Sequence, residues 1–173
     1  MQWLYLMLTL MQPAQQPFAG PNGFDFFLGA WHAEQRWLQE DMRYDAFTNR
    51  VKVFKILHGH GIQDDNFKPV AGRETYFGSA YRIYDAAKQR WICRWFDGGT
   101  QKLSDDFFLS AEGDGFSGYS DGKDKHGSYR SHIRFHHITK NQFKWQMIRR
   151  YEGLDRDLLI GEITYTRIEE TPK

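Results

Sequence analysis

Through most of its length the chain alternates apolar and polar residues with a period of two, and Gly, Asp, Asn or Lys-rich turns interrupt the alternation at short intervals. Successive side chains on a strand face opposite sides, so this pattern predicts an all-β sandwich or barrel. The stretch "AWHAEQRWL" at 30–38 predicts a first strand with Trp31, Ala33, Gln35 and Trp37 on one face and His32, Glu34 and Arg36 on the other. "TNRVKVFKIL" at 48–57 sets Val51 and Val53 against Arg50, Lys52 and Lys55, "GHG" at 59–61 breaks it, and a short strand follows at about 62–67. "RETYFGSAYRIYD" at 73–85 and "RWICRWFD" at 90–97, joined by "DAAKQ", predict a hairpin whose second strand carries Trp91, Cys93, Trp95 and Asp97 on the face opposite Arg90 and Arg94. "DFFLSAE", "GFSGYSDG", "SYRSHIRFHHIT", "QFKWQMIRRYE" and "LLIGEITYTRIEE" bring the total to about ten strands.

The one helical turn predicted is "FDFFLG" at 24–29, so the chain has no βαβ unit and its sheet is antiparallel. Meandering strands in that number would leave exposed edges unless they close, which predicts a closed antiparallel up-and-down β-barrel. A barrel of about this strand number keeps an internal cavity that side chains alone do not fill.

A chain of 173 residues is long enough for one domain with a substantial core, placed here at 23–170. Residues 1–22 read as an irregular arm or a targeting segment. The apolar run "WLYLMLTLM" at 3–11 is too short to span a bilayer. No Lys or Arg precedes it and neither Ala14 nor Ala19 has a small residue at the −3 position, so a cytoplasmic location is expected, with secretion or a periplasmic location as the alternative. A formal net charge of +1 gives no electrostatic footprint for nucleic acid. Cys93 is the single cysteine, which rules out an intrachain disulfide and reads as a small core residue. A monomer or a homodimer fits equally well.

"GAW" at 29–31 and "TR" at 166–167 resemble the lipocalin, or calycin, signature. The resemblance implies that Gly29 bends the chain into the first strand, that Trp31 closes the narrow end, and that Arg167 stacks over its ring. More narrowly, "FDFFLGAW", "LHGHGIQDDN", "RIYDAAKQRWICRWFD" and "FKWQ", in that order, resemble a widespread bacterial calycin-like family with no agreed reaction, fold-related to lipocalins, fatty-acid-binding proteins and nitrobindins. The resemblance spans about 24–168; His58, His60 and His137 depart from the family pattern.

With Trp31 inward, alternation places Gln35 and Trp37 in the lumen, and the inward set of 90–97 adds Trp91, Trp95 and Asp97. Asp97 reads equally as a cap on the turn "DGG". Arg134, His136 and Trp145 complete the expected ligand-binding set; His136 and His137 must face opposite sides of a strand, so at most one reaches the lumen.

No metal is expected. His58 and His60 stand two apart with Asp64 and Asp65 just beyond, a set that could ligate Zn²⁺ or Fe²⁺, but glycines at 59 and 61 make the segment a turn and no H-E-x-x-H or C-x-x-C spacing is present. The Gly, Ser and Asp-rich stretch at 113–127 fails the spacing of a calcium loop. No P-loop, nucleophile elbow or dinucleotide fingerprint is present. The expected partner is a small hydrophobic or aromatic molecule, with no cofactor. Two alternatives share the cavity: an isomerase, cyclase or lyase-type enzyme using Asp97, His136 or Arg134 as its acid or base, and haem binding through a lumenal histidine.

Overall fold

The computed structural model describes residues 18–169, so the apolar run at 3–11 and most of the expected arm lie outside the described residues. Its strands are β1 (Gly29–Leu38), β2 (Tyr44–Ile56), β3 (Gly61–Val70), β4 (Arg73–Asp85), β5 (Arg90–Asp97), β6 (Lys102–Leu103), β7 (Phe107–Glu112), β8 (Gly115–Asp124), β9 (Gly127–His136), β10 (Gln142–Tyr151) and β11 (Leu158–Arg167). All pairings are antiparallel. β1 through β5 pair in succession, β5 also pairs with β7, β7 through β11 continue, and β11 returns to β1. Ten strands thereby close into a barrel, with β6 an appendage on the end of β5. Closure leaves no long edge for another chain to pair with.

Among the described residues, helical structure is limited to two 3₁₀ turns, Asp25–Phe27 and Leu57–Gly59. The first lies where "FDFFLG" predicts a turn and carries an aromatic plug across one end of the barrel. Phe24, Phe27 and Trp31 are all fully buried, with Phe24 stacked on Phe116 at 4.0 Å between ring centroids. Edge-to-face contacts join Phe27 to Phe143 at 4.7 Å and Trp31 to Phe143 at 5.0 Å, the geometry that ring quadrupoles favour. Packing extends upstream of Gly23, since the Phe18 ring sits 5.6 Å from that of Phe116.

Gly29 starts β1 at φ +108°, a conformation that L side chains rarely adopt, and a Cβ there would lie 3.0 Å from an Arg167 nitrogen. Trp31 and Arg167 are cross-strand partners in the β1–β11 ladder. The guanidinium carbon of Arg167 lies 4.1 Å from the Trp31 ring centroid, and its three nitrogens donate to the carbonyls of Lys140, Leu28 and Phe26, each at 2.7 Å. The Trp31 indole N–H donates to the Phe27 carbonyl at 2.7 Å. One cation therefore ties the plug, the first strand and the last strand together.

Candidate functional site

From the plug toward the other end, the inward faces change character. Along β1 they read Trp31, Ala33, Gln35, Trp37; along β2, from the same end, Val53, Val51, Asn49, Phe47; along β3, Ile62, Asp64, Asn66. The half next to the plug is apolar. The other half encloses a cavity of about 760 Å³ that opens past the exposed loop residues Ser104, Asp105 and Asp106.

The upper wall of the cavity is aromatic. Trp37 and Trp145 face each other with centroids 5.4 Å apart, and Phe77 bridges Phe47 at 5.7 Å and Trp95 at 5.9 Å. Two glycines make room for the indoles: a Cβ on Gly161 would fall 2.6 Å from the Trp37 ring, and one on Gly78 would fall 2.4 Å from that of Trp95. Phe77 reaches the cavity through an irregularity in the β3–β4 ladder, where Asn66 pairs with Gly78 but Phe67 pairs with Tyr76. The extra residue breaks strict alternation and re-aims its side chain.

The floor is polar and hydrogen-bonded. The Trp37 indole N–H donates to Gln35 Oε1 at 2.9 Å, Gln35 donates to Asn49, Asn49 donates to Asn66 at 2.8 Å, and Asn66 donates to Asp64 Oδ2 at 2.9 Å. The relay ends on an ion pair between Asp64 and Arg82, whose side chains are 3% and 6% exposed. Three aromatic rings flank the guanidinium, Phe24, Phe27 and Phe135, with centroids 5.3 to 5.5 Å from its carbon. Tyr165 lies beside this pair; burial, reinforced by the Asp64 charge, pushes its phenol well above its ordinary pKa. Cys93, opposite Arg82 in the β4–β5 ladder, is fully buried, and burial pushes its thiol up to about 12.

Of the residues expected at the site, Gln35, Trp37, Trp95 and Trp145 line this cavity, and four others lie elsewhere. Trp91 is on the same face as Trp95 but too deep: it packs edge-on against Phe24 at 5.0 Å, inside the plug. Asp97 caps a turn, accepting from the Thr100 N–H at 2.7 Å and hydroxyl at 2.9 Å, bonds that hold its carboxyl below the ordinary range. Arg134 and His136 lie on the outside of β9, because Ser131, Ile133 and Phe135 are the residues that alternate inward. His136 and His137 instead contact each other, Nδ1 to Nδ1 at 3.1 Å. No histidine lines the cavity among the described residues, so the haem alternative lacks its axial ligand. His58 and His60 are exposed around the turn between β2 and β3.

The floor residues Asn49, Asp64, Asn66 and Arg82 are the part that sequence reasoning missed. Their signal was phase: Asn49 keeps step with Val51 and Val53, and Asp64 with Ile62. A larger groove of about 990 Å³ on the outer wall, near Tyr119, His132 and Arg150, is a surface feature with no unpartnered buried side-chain atom among the described residues.

No family model matches the chain, and no curated protein resembles it in sequence. The fold is similar to that of the S-type phycobiliprotein lyase CPES from Guillardia theta, at a TM-score of 0.60 and 9% identity, over 88% of this chain and 94% of that one. At that identity the likeness speaks to the barrel and not to the residues inside it. Among the described residues no helix is long and apolar enough to cross a membrane.

Proposed function

We propose that the barrel binds one small, largely apolar or aromatic molecule in its open half, in the manner of a lipocalin. The observation that carries this reading is the cavity of about 760 Å³, large enough for a small-molecule ligand, with tryptophan walls over a hydrogen-bonded floor. The "GAW" and "TR" motifs and the likeness to a barrel lyase support the same reading. Trp37, Trp95 and Trp145 would report occupancy directly. Titrating intrinsic fluorescence with hydrophobic dyes, fatty acids and haem is expected to give saturable quenching by at least one class. Silence toward all of them would mean that the tryptophans merely fill the barrel.

Catalysis on the bound guest is a second reading, favoured by one observation: Asp64, Arg82 and Tyr165, three titratable side chains, meet at the cavity floor. An acid or base in a dry pocket is the minimum such an enzyme needs. Mass spectrometry of a guest held on the protein separates the readings. Carriage returns it unchanged, whereas catalysis yields a new species that Asp64→Asn suppresses.

A further inference from the structure

We propose that the guest is a neutral carbonyl compound, an amide or lactam on an aromatic or apolar body, bound with its carbonyl against Arg82 and Tyr165. The inference rests on the binding reading above and adds which end of the guest goes deep and what charge that end carries.

Two donors at the floor lack partners. Arg82 is 5% exposed and places one terminal nitrogen on Asp64; its Nε is sealed among the surrounding side chains, and its second terminal nitrogen, which has no partner among the described residues, is the donor left for a guest. Tyr165 is 4% exposed and lines the same cavity, and no side-chain hydrogen bond is made by its hydroxyl among the described residues. Buried polar groups in folded proteins are almost always satisfied, so unpartnered donors facing a cavity point to an acceptor supplied from outside. A carbonyl oxygen takes two such donors at once.

Charge then selects among acceptors. Asp64 cancels Arg82, and the rest of the relay, Gln35, Asn49 and Asn66, is neutral, so the floor is electrically balanced before any guest arrives. A carboxylate placed there would add an unbalanced negative charge beside Asp64 in a poorly hydrated site, and an ammonium would add a positive one beside Arg82; both are penalised. Of the other cations lining the cavity, Arg149 is already committed to Asp124 at 3.1 Å and stacked 3.7 Å over Tyr129, and Lys123 is solvent-exposed with Asp105, Asp106 and Asp121 in the same lining, so they offer a guest anion little. A neutral carbonyl avoids the penalty. An amide N–H beside it would find an acceptor in Asp64, whose two oxygens accept one bond each from Arg82 and Asn66 and retain spare lone pairs.

The test is calorimetric titration of the full chain at neutral pH with four probes that share one ring system: anthracene-2-carboxamide, anthracene-2-carboxylate, 2-aminomethylanthracene and 2-methylanthracene. The carboxamide is expected to bind about tenfold or more tighter than each of the others, a margin of roughly one good hydrogen-bonding contact. Tyr165→Phe is expected to shrink the margin of the amide over the methyl compound severalfold. If the carboxylate binds as tightly as the amide, or if amide and methyl compounds bind alike, the proposal falls while the cavity remains a binding site. If Tyr165→Phe folds and leaves the margin intact, the tyrosine assignment falls. If no probe binds, the binding reading fails and the proposal with it.

Discussion

The two halves of this barrel are made by the same strands and the same alternation, yet they solve opposite problems. Near the plug, inward positions are Phe, Trp, Val and Ile, with Trp31, Phe27 and Phe143 fully buried against one another. In the open half the same phase carries Gln35, Asn49, Asp64, Asn66 and Arg82 beneath a tryptophan wall. The closed half gains stability from apolar burial, which needs no directional partner. The open half holds polar groups in place through an unbroken relay, and such a network is costly wherever one member loses its bond. The barrel thus concentrates stability at one end and leaves the other free to present chemistry.

Removing the plug's central ring is a large expected break. Trp31→Ala loses the indole, its bond to Phe27 and the surface on which Arg167 stacks, and is expected to cost about 3–5 kcal/mol. Trp95→Ala, in the cavity wall, is expected to cost less than half as much and to weaken guest binding instead. Denaturant melts of both proteins check the contrast; equal midpoints would show that the two halves share the load.

Asp64→Leu sharpens the comparison from the open side. It strands the Arg82 guanidinium in a buried site without its counter-charge, at an expected cost of about 3–5 kcal/mol, whereas Asp64→Leu combined with Arg82→Met is expected to fold within about 1 kcal/mol of the parent. Melts of the single and double variants read this directly. A double variant as unstable as the single would mean that the ion pair itself contributes to stability and is not kept only for the site.

A smaller effect is expected at high pH. Cys93 and Tyr165 both have folded-state pKa values raised by burial, so their contribution to stability is whole below the ordinary values of 9.0 and 10.0 and is lost as pH rises. Urea midpoints are expected to fall between pH 9 and about 12, and Cys93→Ala is expected to make that fall shallower. In the native state at pH 8 the thiol is expected to stay unreactive toward a disulfide reagent, since the thiolate is the reactive form.

Much of this architecture could be read from the chain because it is local. Gly29, Trp31 and Arg167 are picked out by their resemblance to the lipocalin signature, and the inward set of β1 follows by alternation once Trp31 is set inward. β9 resisted for a physical reason. In "SHIRFH" one phase is wholly polar, His132, Arg134 and His136, and it drew the functional reading although Ile133 and Phe135, which share the other phase with Ser131, mark the core. Depth was equally hidden: Trp91 and Trp95 share a face, but alternation does not say that one meets Phe24 in the plug and the other lines a cavity.

By itself, then, the amino-acid sequence determined the strands and their antiparallel closure, because period two and turn residues act within a few positions along the chain. Only the tertiary structure decided that Asp64 from β3 meets Arg82 from β4, that Tyr165 from β11 joins them, and that Phe77 turns inward at a ladder irregularity. Those juxtapositions depend on cross-strand register and barrel stagger, which are set by the sum of packing around the whole ring and are written in no single stretch of residues.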